Sequence, residues 1–298
     1  MKIDCVFSGG GVKAYAFLGA LESIEQKELS IQRTAGTSAG SILAAFLAAG
    51  YTSTEIRKLM DSLDLSLFLD PPKLTTLIPG SKWFFLYFQM GIYKGNRFEN
   101  WLHTQLANKN VHTFSDLKEQ ALRVVVSDLT LGKLVVIPDD LKDIYGIDPA
   151  HFPVSKAVRM SAGFPYFFMP KKMPGKVNMK SIIVDGGLLS NFPLWLFKND
   201  KGDMKRPVLG VQLSESIELQ KPRKISNAQN MLHALFSTMK QAHDTRYISK
   251  SNEDNIIFIP VKSIHATDFN IDDATKQSLI VQGKSSAAVF LKHWPNGN

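Results

Sequence analysis
The chain has 298 residues, 44% hydrophobic and 21% charged, the balance of a folded globular protein and not of a disordered one. Its single cysteine, Cys5, permits no internal disulfide and no cysteine-based zinc site, and no stretch reaches the ~18 apolar residues of a membrane span. The net charge is +8, and most of it falls between Lys171 and Lys224, where eleven Lys/Arg meet five acids.

The opening Met1-Lys2-Ile3-Asp4, with glycines from position 9, does not read as a signal peptide. Together with the lone cysteine it predicts a cytoplasmic protein that meets a membrane only at its surface. Lys2 to Ser8 is apolar and β-branched, a buried strand with Cys5 packed in the core. Val12 to Lys27 has Tyr15, Leu18, Leu21 and Ile24 three residues apart, a helical spacing. Ile31 to Ala35 is a second strand. Ser38 to Ala49 is an alanine-rich helix closed by Gly50, and Thr52 to Leu63 is a helix capped by Thr52 or Ser53. Strand, helix, strand, helix is the α/β pattern with a parallel sheet.

Beyond residue 65 the pattern is less regular. Pro71-Pro72 and Pro79-Gly80 mark loops, followed by the aromatic run Trp83 to Phe88. Arg97 to Ala107 reads as a helix, Leu122 to Asp128 and Lys133 to Ile137 as a hairpin, and Val154 to Ser161 as a short helix. Ser181 to Val184, Val208 to Leu213 and Asn255 to Val261 are strands. Asn227 to Lys250 and Asp273 to His293 are helices. No repeat or flexible linker appears, so one domain over residues 1–298 is expected, with its motifs in 2–213 and a C-terminal part in 214–298.

Three segments carry chemistry. The first is the loop Ser8-Gly9-Gly10-Gly11-Val12-Lys13-Ala14, between the first strand and first helix. Free amides beside a helix N-terminus form an anion site. The loop serves a phosphate, because Gly9, Gly11 and Ala14 fit G-x-G-x-x-G/A, or an oxyanion, or it is simply a tight turn. A dinucleotide site also needs an acid at the end of the second strand, and Ile31-Gln32-Arg33-Thr34-Ala35 has none.

The second is Gly36-Thr37-Ser38-Ala39-Gly40, a G-x-S-x-G between strand and helix, as a nucleophile elbow requires. Its plainer reading is Ser38 as a helix cap. The third is Val184-Asp185-Gly186-Gly187, which ends an apolar strand with a carboxylate. It reads as a general base for Ser38 or as an ordinary Asp-Gly turn. The seven histidines (103, 112, 151, 233, 243, 265, 293) sit in no catalytic-looking setting.

Taken together these segments resemble the patatin-like phospholipases. Gly9-Gly10-Gly11-Val12-Lys13-Ala14 is similar to the family's oxyanion loop, Gly36-Thr37-Ser38-Ala39-Gly40 to its elbow, and Asp185-Gly186-Gly187 to its D-G-G/A motif, 147 residues after Ser38. Ser161-Ala162-Gly163-Phe164-Pro165-Tyr166-Phe167-Phe168-Met169-Pro170 is similar to the family block S-A-x-x-P-x-x-F-x-P, and Asn191-Phe192-Pro193 to its N-x-P. Lys13 stands where the family usually has Arg, and Ala14 where it often has Gly.

The resemblance implies a three-layer α/β fold with a mainly parallel sheet between helices. It implies an acyl hydrolase of phospholipids or other glycerolipids, with a Ser38–Asp185 dyad and an oxyanion hole of Gly10 and Gly11, with Gly9 as a further candidate. Gly36, Gly40, Lys13, Gly186 and Gly187 support these motifs. No metal or other cofactor is expected, and the substrate is lipid, not nucleic acid. Two further expectations concern the membrane. Trp83 to Phe88 is expected to form an acyl-chain wall, a lid or a core helix. Lys171, Lys172 and Lys176 are the candidates for contact with an anionic surface. The alternatives are a Ser-Asp-His hydrolase, a nucleotide-binding oxidoreductase and a catalytically idle lipid-binding protein.

Overall fold
A computed structural model describes residues 1–72, 86–175, 179–198, 204–214, 225–226, 230–231, 234–239, 253–261, 264 and 268–295. Strand β1 (Lys2–Phe7) is buried from Ile3 onward because it lies inside a sheet covered on both faces. It pairs in parallel with β2 (Ser30–Thr37), Lys2 opposite Ser30 and Phe7 opposite Gly36. On its other edge runs β9 (Val208–Ser214), and beyond that β10 (Ile256–Pro260), both parallel. Between β1 and β2 the chain makes a 3-10 turn at Gly11–Ala14 and then helix α1 (Tyr15–Gln26). The helix expected from Val12 therefore begins three residues later, because the glycine loop takes up its first turn.

Helix α2 (Ala39–Ala48) follows β2 directly. Helix α3 (Ser53–Asp61) opens with a complete capping box, the Thr52 side chain and Glu55 each bonding the other's backbone N–H. Helix α4 (Asn96–Ala107) buries Phe98, Leu102 and Leu106, and the short helices α5 (Leu141–Tyr145) and α6 (Val154–Ser161) come later in the chain. The last helix, α7 (Asp273–Leu291), packs on α1 with backbones in contact. A Cβ on Gly19 would stand 1.9 Å from the Ile280 carbonyl oxygen, and one on Gly283 would stand 1.8 Å from that of Ala16.

The other half of the sheet is built differently. Strand β4 (Leu122–Asp128) continues the parallel order beside β2, with Gly36 opposite Val124 and Thr37 opposite Val125. On its far edge β5 (Lys133–Ile137) closes an antiparallel hairpin over Val124–Asp128. Past Val125, the edge of β4 that carried β2 is taken over by β8 (Lys180–Asp185), which runs antiparallel, with Asp185 opposite Val126. Strand β7 (Lys171–Pro174) completes the sheet as an antiparallel edge. A small parallel sheet joins β3 (Gly91–Tyr93) to β6 (Tyr166–Phe168). So the sheet is α/β and mostly parallel, with an antiparallel end.

The ends of β2 and β8 thus meet head-on along one edge of β4. Thr37 closes one strand against Val125, and Asp185 closes the other against Val126. The sheet reverses direction at this seam, and the residue after Thr37 is Ser38.

Two expected elements lie largely or partly outside the described residues. Of the helix expected over Asn227–Lys250, residues 230–231 and 234–239 are described, and they are helical. Of the aromatic run, Trp83, Phe84 and Phe85 lie outside. Its described part is open to solvent, Tyr87 being 80% and Phe88 62% exposed. That contradicts a buried core helix for these two rings.

Candidate active site
Ser38 stands between β2 and α2 with φ 54° and ψ −129°. For a residue with a Cβ this is a strained backbone, costing about 1–3 kcal/mol, and it holds only where the surroundings dictate it. They do so through the two flanking glycines. A Cβ on Gly36 would lie 2.4 Å from the Gly40 carbonyl oxygen, and one on Gly40 would lie 2.5 Å from the carbonyl oxygens of both Phe7 and Ser8. The elbow is pressed against its own next turn and against the end of β1. The Ser38 side chain makes no capping bond to α2. Its hydroxyl instead donates to Asp185 Oδ2 at 2.7 Å. Ser38 is half-buried, and Asp185 is 2% exposed.

Asp185 arrives from the antiparallel side of the seam. It is not the end of a parallel strand, the usual source of α/β site residues. The approach still works because the C-terminal ends of β2 and β8 point at each other. A 3-10 turn, Gly186–Leu188, follows at once, and the Gly187 N–H donates to Asp185 Oδ1 at 2.7 Å. One carboxylate oxygen thus meets the hydroxyl while the other is anchored on its own backbone. Gly186 has no room for a side chain, since a Cβ would fall 2.2 Å from the Val125 carbonyl oxygen.

The glycine loop lies alongside. The Gly9 N–H donates to the Asn191 carbonyl at 3.0 Å. This corrects the expectation that Gly9 is an oxyanion donor, because its amide is already engaged in holding the loop to the segment after Asp185. Gly10 and Gly11 begin the 3-10 turn Gly11–Ala14, where first-turn amides have no partner within the turn. A Cβ on Gly10 would meet Leu213 Cδ1 at 2.2 Å, and one on Gly9 would meet Asn191 Oδ1 at 2.5 Å. Lys13 is half-buried in the same turn.

In the sequence Ser161, Gly163 and Asn191 stand only as parts of the S-A-x-x-P-x-x-F-x-P and N-x-P blocks, with no role of their own. The structure places all three at the seam. The Ser38 N–H donates to Ser161 Oγ at 2.9 Å, and that hydroxyl donates to the Val125 carbonyl at 2.6 Å. The Asp185 N–H donates to the Gly163 carbonyl at 3.0 Å. The Thr37 hydroxyl donates to the Ser190 carbonyl at 3.0 Å.

Behind this turn, Arg159 is fully buried and donates to the carbonyls of Lys94, Gly95 and Met169, fastening the loop before α4 to the one after β6. Burial lowers its guanidinium to about 10, against the opposing pull of Glu99 and Asp70. In the sequence only Ala157, Val158 and Met160, which flank Arg159, hint at its burial.

Phe164 and Phe236 form an aromatic wall at the site. Their ring centroids are 4.7 Å apart, and a Cβ on Gly187 would stand 3.9 Å from the Phe236 ring. Lys171 pairs with Glu99 at 2.5 Å, so its charge is largely spent inside the protein. That corrects its place among the surface cations. Lys172 is exposed, and Lys176 lies outside the described residues. His103, His112, His151 and His293 are exposed. His233, His243 and His265 lie outside the described residues. Among the described residues no group of three His, Cys, Asp or Glu side chains could hold a metal ion, and no helix is long and apolar enough to cross a membrane.

Comparison with known proteins points one way. A family model described as patatin-like phospholipase matches residues 5–198. The chain is 46% identical to Uncharacterized protein YqhO of Bacillus subtilis, over 99% of each chain. It is 25% identical to the "Probable lipid hydrolase 463L" of Invertebrate iridescent virus 6, covering 63% of this chain and 61% of that one. Among solved structures it is similar to VipD from Legionella pneumophila, with TM-score 0.57 and 17% identity over 97% of this chain and 66% of VipD. It is also similar to ExoU, solved with SpcU from Pseudomonas aeruginosa, with TM-score 0.54 and 17% identity over 99% of this chain and 53% of that one. The chain therefore spans between half and two thirds of these two proteins, and the likeness to them is one of fold.

Proposed function
The chain belongs to the patatin-like phospholipase family, and from that membership we propose that it hydrolyses carboxylic esters of phospholipids or other glycerolipids through a Ser38–Asp185 dyad. The observation that carries this reading is the 2.7 Å bond from Ser38 Oγ to Asp185 Oδ2 at a strained elbow.

The chemistry follows from the geometry. Asp185 takes the Ser38 proton as Ser38 Oγ attacks the ester carbonyl. The negative charge that develops on the carbonyl oxygen is met by the Gly10 and Gly11 amides, which are fixed in place beforehand. As the tetrahedral intermediate collapses, Asp185 returns the proton to the departing alcohol, leaving the acyl group on Ser38. Water, deprotonated by Asp185, attacks the acyl-enzyme, and the proton goes back to Ser38 as the fatty acid leaves. The Gly187 N–H on Oδ1 keeps the carboxylate turned toward Ser38 through both halves.

Phe164 and Phe236 give an acyl chain an apolar wall beside the dyad. Exposed Tyr87 and Phe88 and the cation of Lys172 suit peripheral contact with an anionic lipid surface. The test is incubation with a mixed lipid extract and mass spectrometry of the products. Free fatty acid and the matching lysolipid or deacylated lipid should appear with the wild type and be reduced at least about 10³-fold with Ser38→Ala. Alanine at His233, His243, His265 or His293 should leave turnover within about tenfold, since a general base is worth 10² or more. Undiminished product from Ser38→Ala overturns the reading.

A further inference from the structure
We propose that the turn Ser161–Gly163 is a clamp across the seam, and that Ser161 is a positioning residue which sets the distance between the nucleophile and its base. This rests on the dyad reading above and assigns a part of the site that the family match does not.

The argument starts from the backbone. Pairing of β2 with β4 stops at Thr37 opposite Val125, and pairing of β8 with β4 stops at Asp185 opposite Val126. At the junction Ser38 turns to φ 54°, which takes its amide out of the β2–β4 ladder. Its N–H and the Val125 carbonyl at the seam both need partners, because a buried backbone group left unpaired costs about 1–3 kcal/mol. Ser161 Oγ serves both, accepting from Ser38 N–H at 2.9 Å and donating to Val125 O at 2.6 Å. Among side chains of this size only a hydroxyl accepts and donates at one atom with full strength.

Two residues further on, the Gly163 carbonyl accepts the Asp185 N–H at 3.0 Å. One rigid turn, Ser161 itself being 0% exposed at the end of α6, therefore holds the backbone of both reacting residues. No ladder bond joins the end of β2 to the end of β8, so the clamp ties them together through a third segment. The same contact has a chemical consequence. With its N–H engaged by Ser161, the Ser38 amide faces the seam and is spent, so oxyanion stabilisation falls to the glycine loop.

The test is a double-mutant cycle on the full chain with Ser161→Ala and Asp185→Asn. It is read by kcat and KM on a short soluble ester and by the rate at which a fluorophosphonate labels Ser38. A misplacement of about 1 Å costs on the order of 10²-fold. Ser161→Ala should therefore lower kcat and the labelling rate about 10- to 100-fold, with KM within about threefold of wild type. In the Asp185→Asn background the pair is already broken, so Ser161→Ala should cost less than about threefold more.

A wild-type kcat for folded Ser161→Ala overturns the proposal. An equal loss in both backgrounds also overturns it, because the effect then does not pass through the dyad. If Ser161→Ala does not fold, Ser161→Cys enters the same cycle. It keeps the shape with a weak donor and acceptor and is subject to the same two outcomes. Ser38→Ala is run alongside. Retained turnover in that variant marks failure of the dyad reading, whereas an inactive Ser38→Ala beside a fully active Ser161→Ala marks failure of the clamp alone.

Discussion

The two halves of the sheet supply one partner each to the site, and they are built on opposite rules. From β10 to β4 neighbouring strands run in parallel, and Ser38 leaves the end of β2 in a strand-to-helix turn. From β4 to β7 the strands run antiparallel, and Asp185 leaves the end of β8 into a 3-10 turn. Neither half holds both partners of the Ser38–Asp185 contact. The pair exists because the two architectures change over at Val125–Val126, where two strand ends of opposite direction point at one another. A serine–carboxylate contact is here set by a topological reversal of the sheet.

That comparison can be pressed first at the glycines. Gly40→Ala drives a Cβ to 2.5 Å from two carbonyl oxygens on the parallel side, and Gly186→Ala drives one to 2.2 Å from the Val125 carbonyl oxygen on the antiparallel side. Overpacking against backbone costs about 1–3 kcal/mol or more. Either change should also lower ester turnover about 100-fold or more, since both shift a dyad residue. Gly132→Ala is the control. Unlike Gly40 and Gly186 it sits at positive φ, 62°, and nothing lies within 4 Å of its Cβ, so it should cost about 1 kcal/mol through its backbone alone and leave kcat unchanged. Thermal melts and kcat on a soluble ester check all three. Turnover as high in Gly186→Ala as in Gly132→Ala would mean that the seam does not set the geometry.

The next perturbation falls at the other end of the parallel half. Asp4 is fully buried and pairs with Arg33 and with Arg206, the latter at 3.1 Å. Removing one member of such a group strands the other charges, at about 3 kcal/mol. Asp4→Asn should therefore lower the melting temperature clearly while kcat well below that temperature stays within about twofold of wild type. A matching fall in kcat would show that the two ends of β1 are coupled.

Smallest is the effect at Cys5. Burial, with Asp4 adding to it, pushes this thiol well above its usual range. The thiolate is the reactive form, and burial together with the raised thiol keeps it scarce and out of reach near neutral pH. Iodoacetamide at pH 8 should leave Cys5 unmodified in native protein and alkylate it fully in denaturant, as an intact-mass measurement would read. Labelling of native protein would mean that β1 opens locally.

The same division governs how much was legible in the sequence. The parallel half announces itself. Apolar β-branched runs, helical spacing and Thr52 with Glu55 at a helix start all have local causes, and the strands and α3 follow them closely. Gly36, Ser38, Gly40 and Asp185 were legible because each fills a local steric or chemical need.

The antiparallel end was harder. Lys171-Lys172-Met173-Pro174 shows no apolar alternation, because β7 is an edge strand whose outer face is wet. Tyr166-Phe167-Phe168 reads equally as core or loop. The direction of β8 is set by its partners and not by its own residues. Gly9 looked like an oxyanion donor in a string of glycines, and only the placement of Asn191 shows its amide engaged. Ser161 gave no sign of its two bonds, since both partners are backbone groups more than thirty residues away in sequence. The docking of α7 on α1 through Gly19 and Gly283 was illegible for the same reason.

The central claim is that Ser38 is a nucleophile activated by Asp185 across the seam. The most direct measurement is the site and rate of covalent labelling by a fluorophosphonate, followed by peptide mass spectrometry in wild type and in Asp185→Asn. The account predicts a single adduct on the peptide containing Ser38, formed at least about 100-fold more slowly once the base is removed. An adduct on another residue, or labelling of Ser38 at an unchanged rate in Asp185→Asn, would contradict it.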